Sequence, residues 1–330
     1  MAVKFTKPEI NIAEKVAELD KPSGIAGEAM LRAETPQQQQ ALIGVGRRNM
    51  IINGDFQVWQ RGTSFSSGFT ADRWYTAAGT VTKDGLAIKH VATNTDPYLL
   101  YKVEDLGNKF DGQDAIASFY LKTSSGINKL QYLTVCNVNY THDVMYELPS
   151  EIEGYTRWAC PVKLTNAHTD YIRIVVELEA VSGNTSYLRQ FQLELGKVAT
   201  PFEHRSYGEE LALCQRYYQR IDGAGYQWIT EVQRHNTTGF RSVLHLPVPL
   251  RVRPTITYSN LAFWFNNGSL QAGTSSLGTG YTATGAPDIS HLSLEYIPTT
   301  MPSQMTSNGN LTAMLSFTSA GGFLAFDSEI

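Results

Sequence analysis

Apolar and polar residues alternate in two runs near the middle of the chain, and this pattern limits the fold more than any other feature. In the first run, apolar residues occupy every second position from Ile172 to Leu178, with Arg173 and Glu177 between them. The second run keeps the same period through residues 187–195. Successive side chains of a β-strand point to opposite faces of a sheet, so both runs predict strands with one buried face.

Similar short apolar runs flank these two, and clusters of Gly, Asn, Asp, Ser and Pro separate them. Before the two runs they lie at 80–91, 98–103, 115–122, 130–138 and 158–164, and after them at 240–246, 261–265, 291–297, 311–317 and 323–326. No helical pattern falls between the runs of the first set, which excludes parallel βαβ units and favours an antiparallel sandwich or jelly roll. The sequence has no repeat of 20–50 residues, so solenoids and propellers are excluded.

One helix is predicted within this β series, at about 207–221. Ser206 and Glu209 have the spacing of a capping box, in which each side chain binds a backbone N–H at the start of the helix. The apolar face of this helix would consist of Leu211, Cys214, Tyr218 and Ile221. We expect the helix to cross over and cover a sheet.

Residues 1–48 differ from the rest of the chain, because their patterns predict short helices. A stripe at Ile12, Val16 and Leu19 and a capped start at Thr35 and Pro36 both indicate helices too short to be stable alone. This arm is expected to pack on another chain or on its own copies; the alternative is a flexible terminus.

The predicted fold is therefore mainly β, with two antiparallel β-sandwich or jelly-roll modules, a short helical N-terminal arm and one linking helix. Its parts are the arm at 1–48, the first module at 49–204, and the second module at 205–330, which opens with the helix.

Charge and composition narrow the possible partners. The formal net charge of −4 and the absence of Lys/Arg blocks predict no nucleic-acid binding. The residues after Met1 form no apolar segment, and no run of about 18 apolar residues occurs, so we expect neither a signal peptide nor membrane insertion. The odd, widely spaced cysteines (Cys136, Cys160 and Cys214) predict folding in a reducing cytosol without a disulfide framework.

A search for catalytic motifs finds none of the common nucleophile, phosphate-binding or zinc patterns, and the seven histidines stand singly. We therefore predict no enzyme, no catalytic residues, no cofactor and no metal. A pair of carboxylates, as a glycosidase would use, stays open among the acidic residues. Asn53 and Asp55 could donate oxygen atoms to Ca²⁺, although a simple turn explains them equally well.

The most distinctive stretch reads NMIINGDFQVWQRG at 49–62 and is followed by TADRW at 70–74. Asn53, Gly54 and Asp55 are residue types of a tight turn. Asp72 and Arg73 are expected to form a partly buried pair that holds the strand at Trp74. Three further segments are QFQLELGKVATPFE at 190–203, RSYGEELALCQRYYQ at 205–219 and LPVPLRVRP at 246–254.

These segments resemble β-sandwich domains of phage tail-fibre and appendage proteins, which in turn look like carbohydrate-binding jelly rolls. The resemblance covers both ends of the first module and the start of the second. It implies a structural virion protein, assembled in the host cytoplasm, that attaches through residues 1–48 to the phage tail or other virion proteins and binds a host surface glycan. Thin phage fibres are commonly threefold, so a homotrimer is expected. The alternatives are a head or tail decoration protein without receptor binding, and a polysaccharide depolymerase.

Aromatic and amide side chains guide the search for a sugar site, because a pyranose offers a C–H face for stacking and hydroxyls for hydrogen bonds. Trp59 and Trp74 are expected inside the core. The predicted ligand-binding residues are Trp264, Asn266 and Asn267, at the start of a Gly-, Ser- and Thr-rich loop at 266–288. The alternative is that Trp264 packs in the core. The further candidate platforms are Tyr98, Tyr140, Trp158 and Trp228.

Overall fold

The computed structural model describes residues 48–93, 97–105, 107–126, 130–165, 168, 170–178, 181–224, 227–234, 240–265, 270–271, 289–296, 312–317 and 320–329. Apart from Arg48, the predicted helical arm lies outside these residues. The predictions for its helices and its attachment therefore stay predictions.

Strands of the first module form two antiparallel sheets. They are β1 (Ser64–Phe65), β2 (Gly68–Phe69), β3 (Tyr75–Thr76), β4 (Thr80–Asp84), β5 (Ala87–Val91), β6 (Tyr98–Glu104), β7 (Asp114–Thr123), β8 (Tyr132–Val135), β9 (Val138–Thr141), β10 (Tyr146–Leu148), β11 (Thr156–Lys163), β12 (Tyr171–Glu177) and β13 (Thr185–Leu195). A short 3-10 helix spans His142–Val144. A seven-stranded sheet has the order β1-β4-β5-β13-β7-β11-β10, and a six-stranded sheet has the order β2-β3-β6-β12-β8-β9.

The second module contributes one helix and two more sheets. Helix α1 spans Tyr207–Gln215 and precedes β14 (Tyr218–Ala224), β15 (Trp228–Arg234), β16 (Phe240–Leu250), β17 (Thr255–Ser259), β18 (Leu261–Phe265), β19 (Leu270–Gln271), β20 (Ile289–Tyr296), β21 (Thr312–Phe317) and β22 (Ala320–Asp327). The strands form a three-stranded sheet with the order β14-β22-β17 and a six-stranded sheet with the order β19-β18-β21-β15-β16-β20. The prediction of a mainly β, antiparallel fold with a linking helix is confirmed.

The core of the first module lies between its two sheets, as the alternating pattern requires. On β12 the apolar residues Ile172, Ile174 and Val176 are buried, and they join a cluster to which both sheets contribute. The Trp74 ring is fully buried at the centre, with its centroid 4.9 Å from that of Tyr101 and in further contact with Phe56 and Phe191. Buried aromatic side chains remove large apolar areas from water, so this cluster supplies much of the driving force for folding.

The linking helix begins where it was predicted but ends earlier. The Ser206 hydroxyl accepts a hydrogen bond from the Glu209 N–H, which confirms the N-cap. The prediction that the helix continues to 221 is wrong, because the chain is a strand from Tyr218 onwards, and Tyr218 and Ile221 lie in β14. Pairing with β22 supplies backbone partners for this segment, and such tertiary pairing outweighs helix propensity.

Candidate functional site

The turn at Asn53 docks onto the closing strand of the first module. The Asn53 backbone has a φ of 58°. The side-chain amide nitrogen of Asn53 donates to the carbonyl oxygens of Val58 and Asp72, and its side-chain oxygen accepts from the Val58 N–H. The Phe191 N–H donates to the Gly54 carbonyl at 2.7 Å. A Cβ atom at Gly54 would lie 2.2 Å from the Phe191 carbonyl oxygen, so only glycine fits this approach. The predicted turn is present, and it uses the Asn53 oxygen that Ca²⁺ would need.

The segment after β13 binds the backbone at Arg48 and Asn49, where the first module begins. One carboxylate oxygen of Glu203 accepts hydrogen bonds from the N–H groups of Arg48 and Asn49, at 2.7 and 2.6 Å. The Arg205 guanidinium donates to the carbonyl oxygens of Asn49 and Ile51, at 2.6 and 3.0 Å. The segment that begins at Arg48 and the segment that follows β13 thus bind one another in this fold.

Buried charges join the first module to the second. The Arg73 side chain is 2% exposed, forms an ion pair with Glu329, and donates to the Lys102 carbonyl at 2.6 Å. Its guanidinium carbon lies 3.5 Å from the centroid of the Tyr217 ring. Burial is the largest single influence and acts to lower the pKa of Arg73, but the Glu329 carboxylate together with Tyr101 and Tyr217 raises that pKa above its ordinary value, so Arg73 stays charged.

Arg61 adds a second connection beside the first. Its guanidinium lies 3.2 Å from Asp327 and 3.3 Å from Glu329, and it stacks 3.6 Å from the Tyr218 ring centroid. The last described residues of the chain therefore fold back onto the first module. We call this arrangement the seam, and it consists of Gln60, Arg61, Asp72, Arg73, Tyr217, Tyr218, Asp327 and Glu329.

Asp72 does not pair with Arg73, so the predicted ion pair between these two residues is wrong. Arg73 has a positive φ of 75° and its side chain extends to Glu329 of the second module. Asp72 accepts hydrogen bonds from the backbone and side chain of Gln60, at 3.2 and 2.6 Å, and lies 3.5 Å from Arg61. Burial raises the pKa of Asp72 to about 6, although Arg61 acts to lower it.

A pocket of about 360 Å³ opens beside the seam. It is lined by Phe69, Arg73, Tyr75, Leu100 and Lys102. On β6 the half-buried Leu100 and Lys102 alternate with fully buried neighbours, so both face away from the core. We call this cavity the Lys102 pocket; no function was predicted for it, because its lining residues come from two separate segments of the sequence.

The predicted ligand residues are only partly described. The Trp264 backbone lies in β18 and pairs with Leu270 and Met314, while Asn266 and Asn267 lie outside the described residues. The ligand site at these three residues therefore stays a prediction. Among the other candidate platforms, Trp158 and Trp74 are both buried in the core of the first module. Trp59 is half-buried and packs against this core from outside. Trp228 is 64% exposed, at the start of β15.

Within the described ranges, no group of three or more His, Cys, Asp or Glu side chains is arranged to hold a metal ion. In the same part of the chain, no helix has the length and hydrophobicity that are needed to cross a bilayer.

Comparison with known proteins gives only weak similarities. No protein-family model and no curated protein matches the sequence. The tandem CBM22-1–CBM22-2 domain of Paenibacillus barcinonensis Xyn10C is 11% identical, covers 80% of this chain and 94% of its own, and gives a TM-score of 0.27. A cycloisomaltooligosaccharide glucanotransferase of Paenibacillus sp. is 10% identical, covers 81% of this chain and 46% of its own, and gives a TM-score of 0.24. TM-scores this low do not establish a shared fold.

Proposed function

We propose that this protein is a non-enzymatic structural subunit of a phage particle, of the tail-fibre or appendage kind, and that it binds host surface glycan. The observation that carries the proposal is the location of the segments that resemble appendage proteins. Residues 49–62, 70–74 and 205–219 contribute most of the seam. Residues 190–203 contact the first of these segments, because Leu193 and Glu203 form hydrogen bonds with Asn49. The segments that carry the resemblance thus form most of the seam between the modules.

A connection such as the seam suits an appendage. Domains of one chain normally move relative to each other unless their interface is extensive. Here a buried guanidinium of the first module meets a buried carboxylate of the second, with side chains 2% and 4% exposed. Separating the modules would leave both charges without partners, which is strongly unfavourable. The seam therefore resists bending. A fibre that holds a receptor-binding tip away from the particle requires such stiffness.

The glycan part of the proposal is supported by Trp228. This side chain is 64% exposed, so its ring is accessible for stacking against the C–H face of a sugar. The backbones of Trp228 and Trp264 lie in the same sheet, in β15 and β18, with β21 between them. The second module thus combines an exposed aromatic platform with the predicted site.

The first experiment tests the place of the protein in the particle. Gold-labelled antibodies against the purified chain are applied to intact phage and imaged by electron microscopy. We expect label on the tail or its fibres. Label on the head alone would favour a decoration protein, and particles without any label would contradict the virion assignment.

The second experiment tests binding. The purified full chain is added to host cells before and after periodate oxidation of their surface glycans, and bound protein is measured. We expect oxidation to abolish binding and Trp228→Ala to weaken it about tenfold, as expected for an aromatic contact residue. Tyr146→Ala in the first module, where Tyr146 is 40% exposed, is the matched control and should bind normally. Equal binding by all variants, or release of reducing sugar from the glycan, would contradict the proposal.

The predicted site is tested in the same assay by replacing Trp264, Asn266 and Asn267 with alanine together. Reduced binding by a variant with the wild-type melting temperature supports that site. Unchanged binding removes it from the account, and reduced binding with a lowered melting temperature indicates instead that Trp264 is a core residue.

A further inference from the structure

Cations and tyrosine rings alternate on the outer face of the seven-stranded sheet. Tyr187 of β13 lies directly opposite Lys89 of β5 on one side and Lys122 of β7 on the other. Residues that lie directly opposite each other on neighbouring strands share a face, and the next residue along each strand points to the other face. Those next residues belong to the core: Ile88, Leu121 and Leu188. The side chains of Lys89, Lys122 and Tyr187 therefore point away from the core.

Two more side chains extend this row. Arg189 shares the outer face of β13 with Tyr187, and Tyr155 directly precedes β11, the strand beyond β7. The Tyr155 ring centroid lies 5.6 Å from the Arg189 guanidinium carbon and 5.9 Å from the Lys122 ammonium nitrogen. The Tyr187 ring centroid lies 5.8 Å from the ammonium nitrogens of both Lys89 and Lys122. We call these five residues the Lys122 face.

The Lys122 face is positively charged, although the whole chain has a formal net charge of −4. Among the described residues, Lys89, Lys122 and Arg189 contact tyrosine rings and form no ion pair with a carboxylate. Burial, and after it the charges of Asp84 and Tyr187, raise the pKa of Tyr155 against the opposite effect of Arg189. The Tyr155 hydroxyl therefore stays protonated at neutral pH and donates hydrogen bonds.

The size and chemistry of this face suit a chain of acidic sugars. Neighbouring strands lie about 4.8 Å apart, so the row from β5 to β11 is about 14 Å wide, enough for more than one sugar ring. Lys122 is exposed, and the rings of Tyr155 and Tyr187 are half-buried, so all three are accessible from solvent. Aromatic rings stack on the C–H face of a pyranose, and carboxylates accept charge-assisted hydrogen bonds from Lys and Arg.

We propose that the Lys122 face binds an acidic polysaccharide, a glycan chain whose sugar units carry carboxylates. The sugar rings stack on Tyr155 and Tyr187, and the carboxylates pair with Lys89, Lys122 and Arg189. The inference deepens the proposed function, on which it rests for glycan as the class of ligand. It adds a site in the first module to the predicted site in the second.

A nucleic acid also combines anionic groups with rings, but it fits this face less well. Its backbone carries a phosphate at every nucleotide, and the proteins that bind it present extended basic surfaces. Here three cations lie on a chain that is negatively charged overall. The sparser charge of an acidic glycan matches such a surface better.

Isothermal titration calorimetry of the full chain tests the inference. The probes are short oligomers of galacturonic acid and of sialic acid, the methyl ester of each, and a single-stranded oligothymidylate. We expect at least one acidic oligomer to bind about tenfold more tightly than its own ester, because the ester keeps the rings and loses the charge. Equal binding of acid and ester, no binding of either acid, or tighter binding of the oligothymidylate would overturn the inference.

Variants then assign the binding to the Lys122 face. A variant with both Lys89→Met and Lys122→Met keeps the aliphatic stems, and its affinity for the acidic oligomer should fall about tenfold while its affinity for the ester stays the same. The matched control carries both Lys163→Met and Lys197→Met, which remove the same charge from exposed lysines near the other end of β7. It should bind like the wild type. An equal loss in both double variants, or none in the first, contradicts the assignment.

A third variant tests the stacking. Tyr187→Leu should weaken the acidic oligomer and its ester to the same extent, because both present the same sugar rings. Unchanged binding of the two would show that the ring takes no part. Melting temperatures establish that each variant is folded.

Failure of this inference can be told apart from failure of the proposed function. If the wild type binds host cells, the variant with Lys89→Met and Lys122→Met binds them equally, and the acidic oligomers bind no better than their esters, the face is removed and the function is kept. If the same variant loses the acidic oligomer while the wild type does not bind host cells, the face is kept and the host-glycan role is removed.

Discussion

Arg73 joins the two modules through a single side chain. Its guanidinium is buried, and the Glu329 carboxylate is the negative charge that balances it. Removing one partner of a buried ion pair is far more costly than losing an exposed pair, because the remaining charge stays in a low-dielectric environment.

The first prediction concerns this pair. Glu329→Gln leaves Arg73 buried without its counter-charge, so the free energy of unfolding should fall by about 3 to 5 kcal/mol. Asp114→Asn is the control, since Asp114 pairs with Lys163 at the surface, and it should leave the urea midpoint unchanged. Urea unfolding followed by Trp fluorescence measures both. Equal midpoints for the two variants would contradict the role of the pair.

Asp72 gives a prediction for pH. Its pKa is raised from 3.8 to about 6 by burial, so the folded state holds the proton more tightly than the unfolded state does. An ionised Asp72 therefore costs stability above pH 6, and this cost disappears as the pH falls towards 4. Relative to the wild type, Asp72→Asn should gain stability between pH 4 and pH 7, by roughly 2 kcal/mol. Unfolding curves at both pH values test this, and a difference that does not change with pH would refute it.

At the scale of elements, the approach of the Asn53–Asp55 turn to β13 depends on glycine. In Gly54→Ala the new methyl group would overlap the Phe191 carbonyl oxygen, and the expected loss is about 1 to 3 kcal/mol. Gly208→Ala is the control: Gly208 lies in the first turn of α1 with no atom within 4 Å of its added Cβ, so that alanine should be neutral or stabilising. Thermal melting compares them, and a Gly54→Ala variant that melts with the wild type would contradict the close approach.

The long strands could be predicted from the sequence, but several other elements could not. Alternation of apolar and polar residues over seven or more positions, as in β12, is enough to indicate a strand. Strands of two to four residues, such as β1 and β10, are too short to show a period. The end of α1 depended on the pairing of β14 with β22, more than 100 positions away, and no local pattern contains that information.

The seam was also beyond the reach of sequence reasoning. Asp72 and Arg73 are adjacent and of opposite charge, which suggested a pair, but the actual partner of Arg73 is 256 positions away. The Lys102 pocket was not predicted because its two lining segments, at 69–75 and 100–102, meet only through the pairing of β3 with β6. The roles of residues 49–62, 70–74 and 205–219 in the seam became clear only from their contacts.

At the scale of the whole molecule, the predicted arm and trimer remain predictions. Deleting residues 1–47 should leave the two modules folded but abolish both trimer formation and incorporation into particles. Light scattering and electrophoresis of purified particles measure these two outcomes. A truncated chain that is still trimeric and still incorporated would show that the arm has neither role.

The central claim is that the seam makes one body of two β modules, and differential scanning calorimetry tests it most directly. We expect the wild type to melt in one transition, with equal calorimetric and van't Hoff enthalpies. A variant that carries both Arg61→Met and Glu329→Gln should melt in two separate transitions, because its modules no longer unfold together. Two transitions in the wild type, or a single transition at the same temperature in both proteins, would contradict the claim.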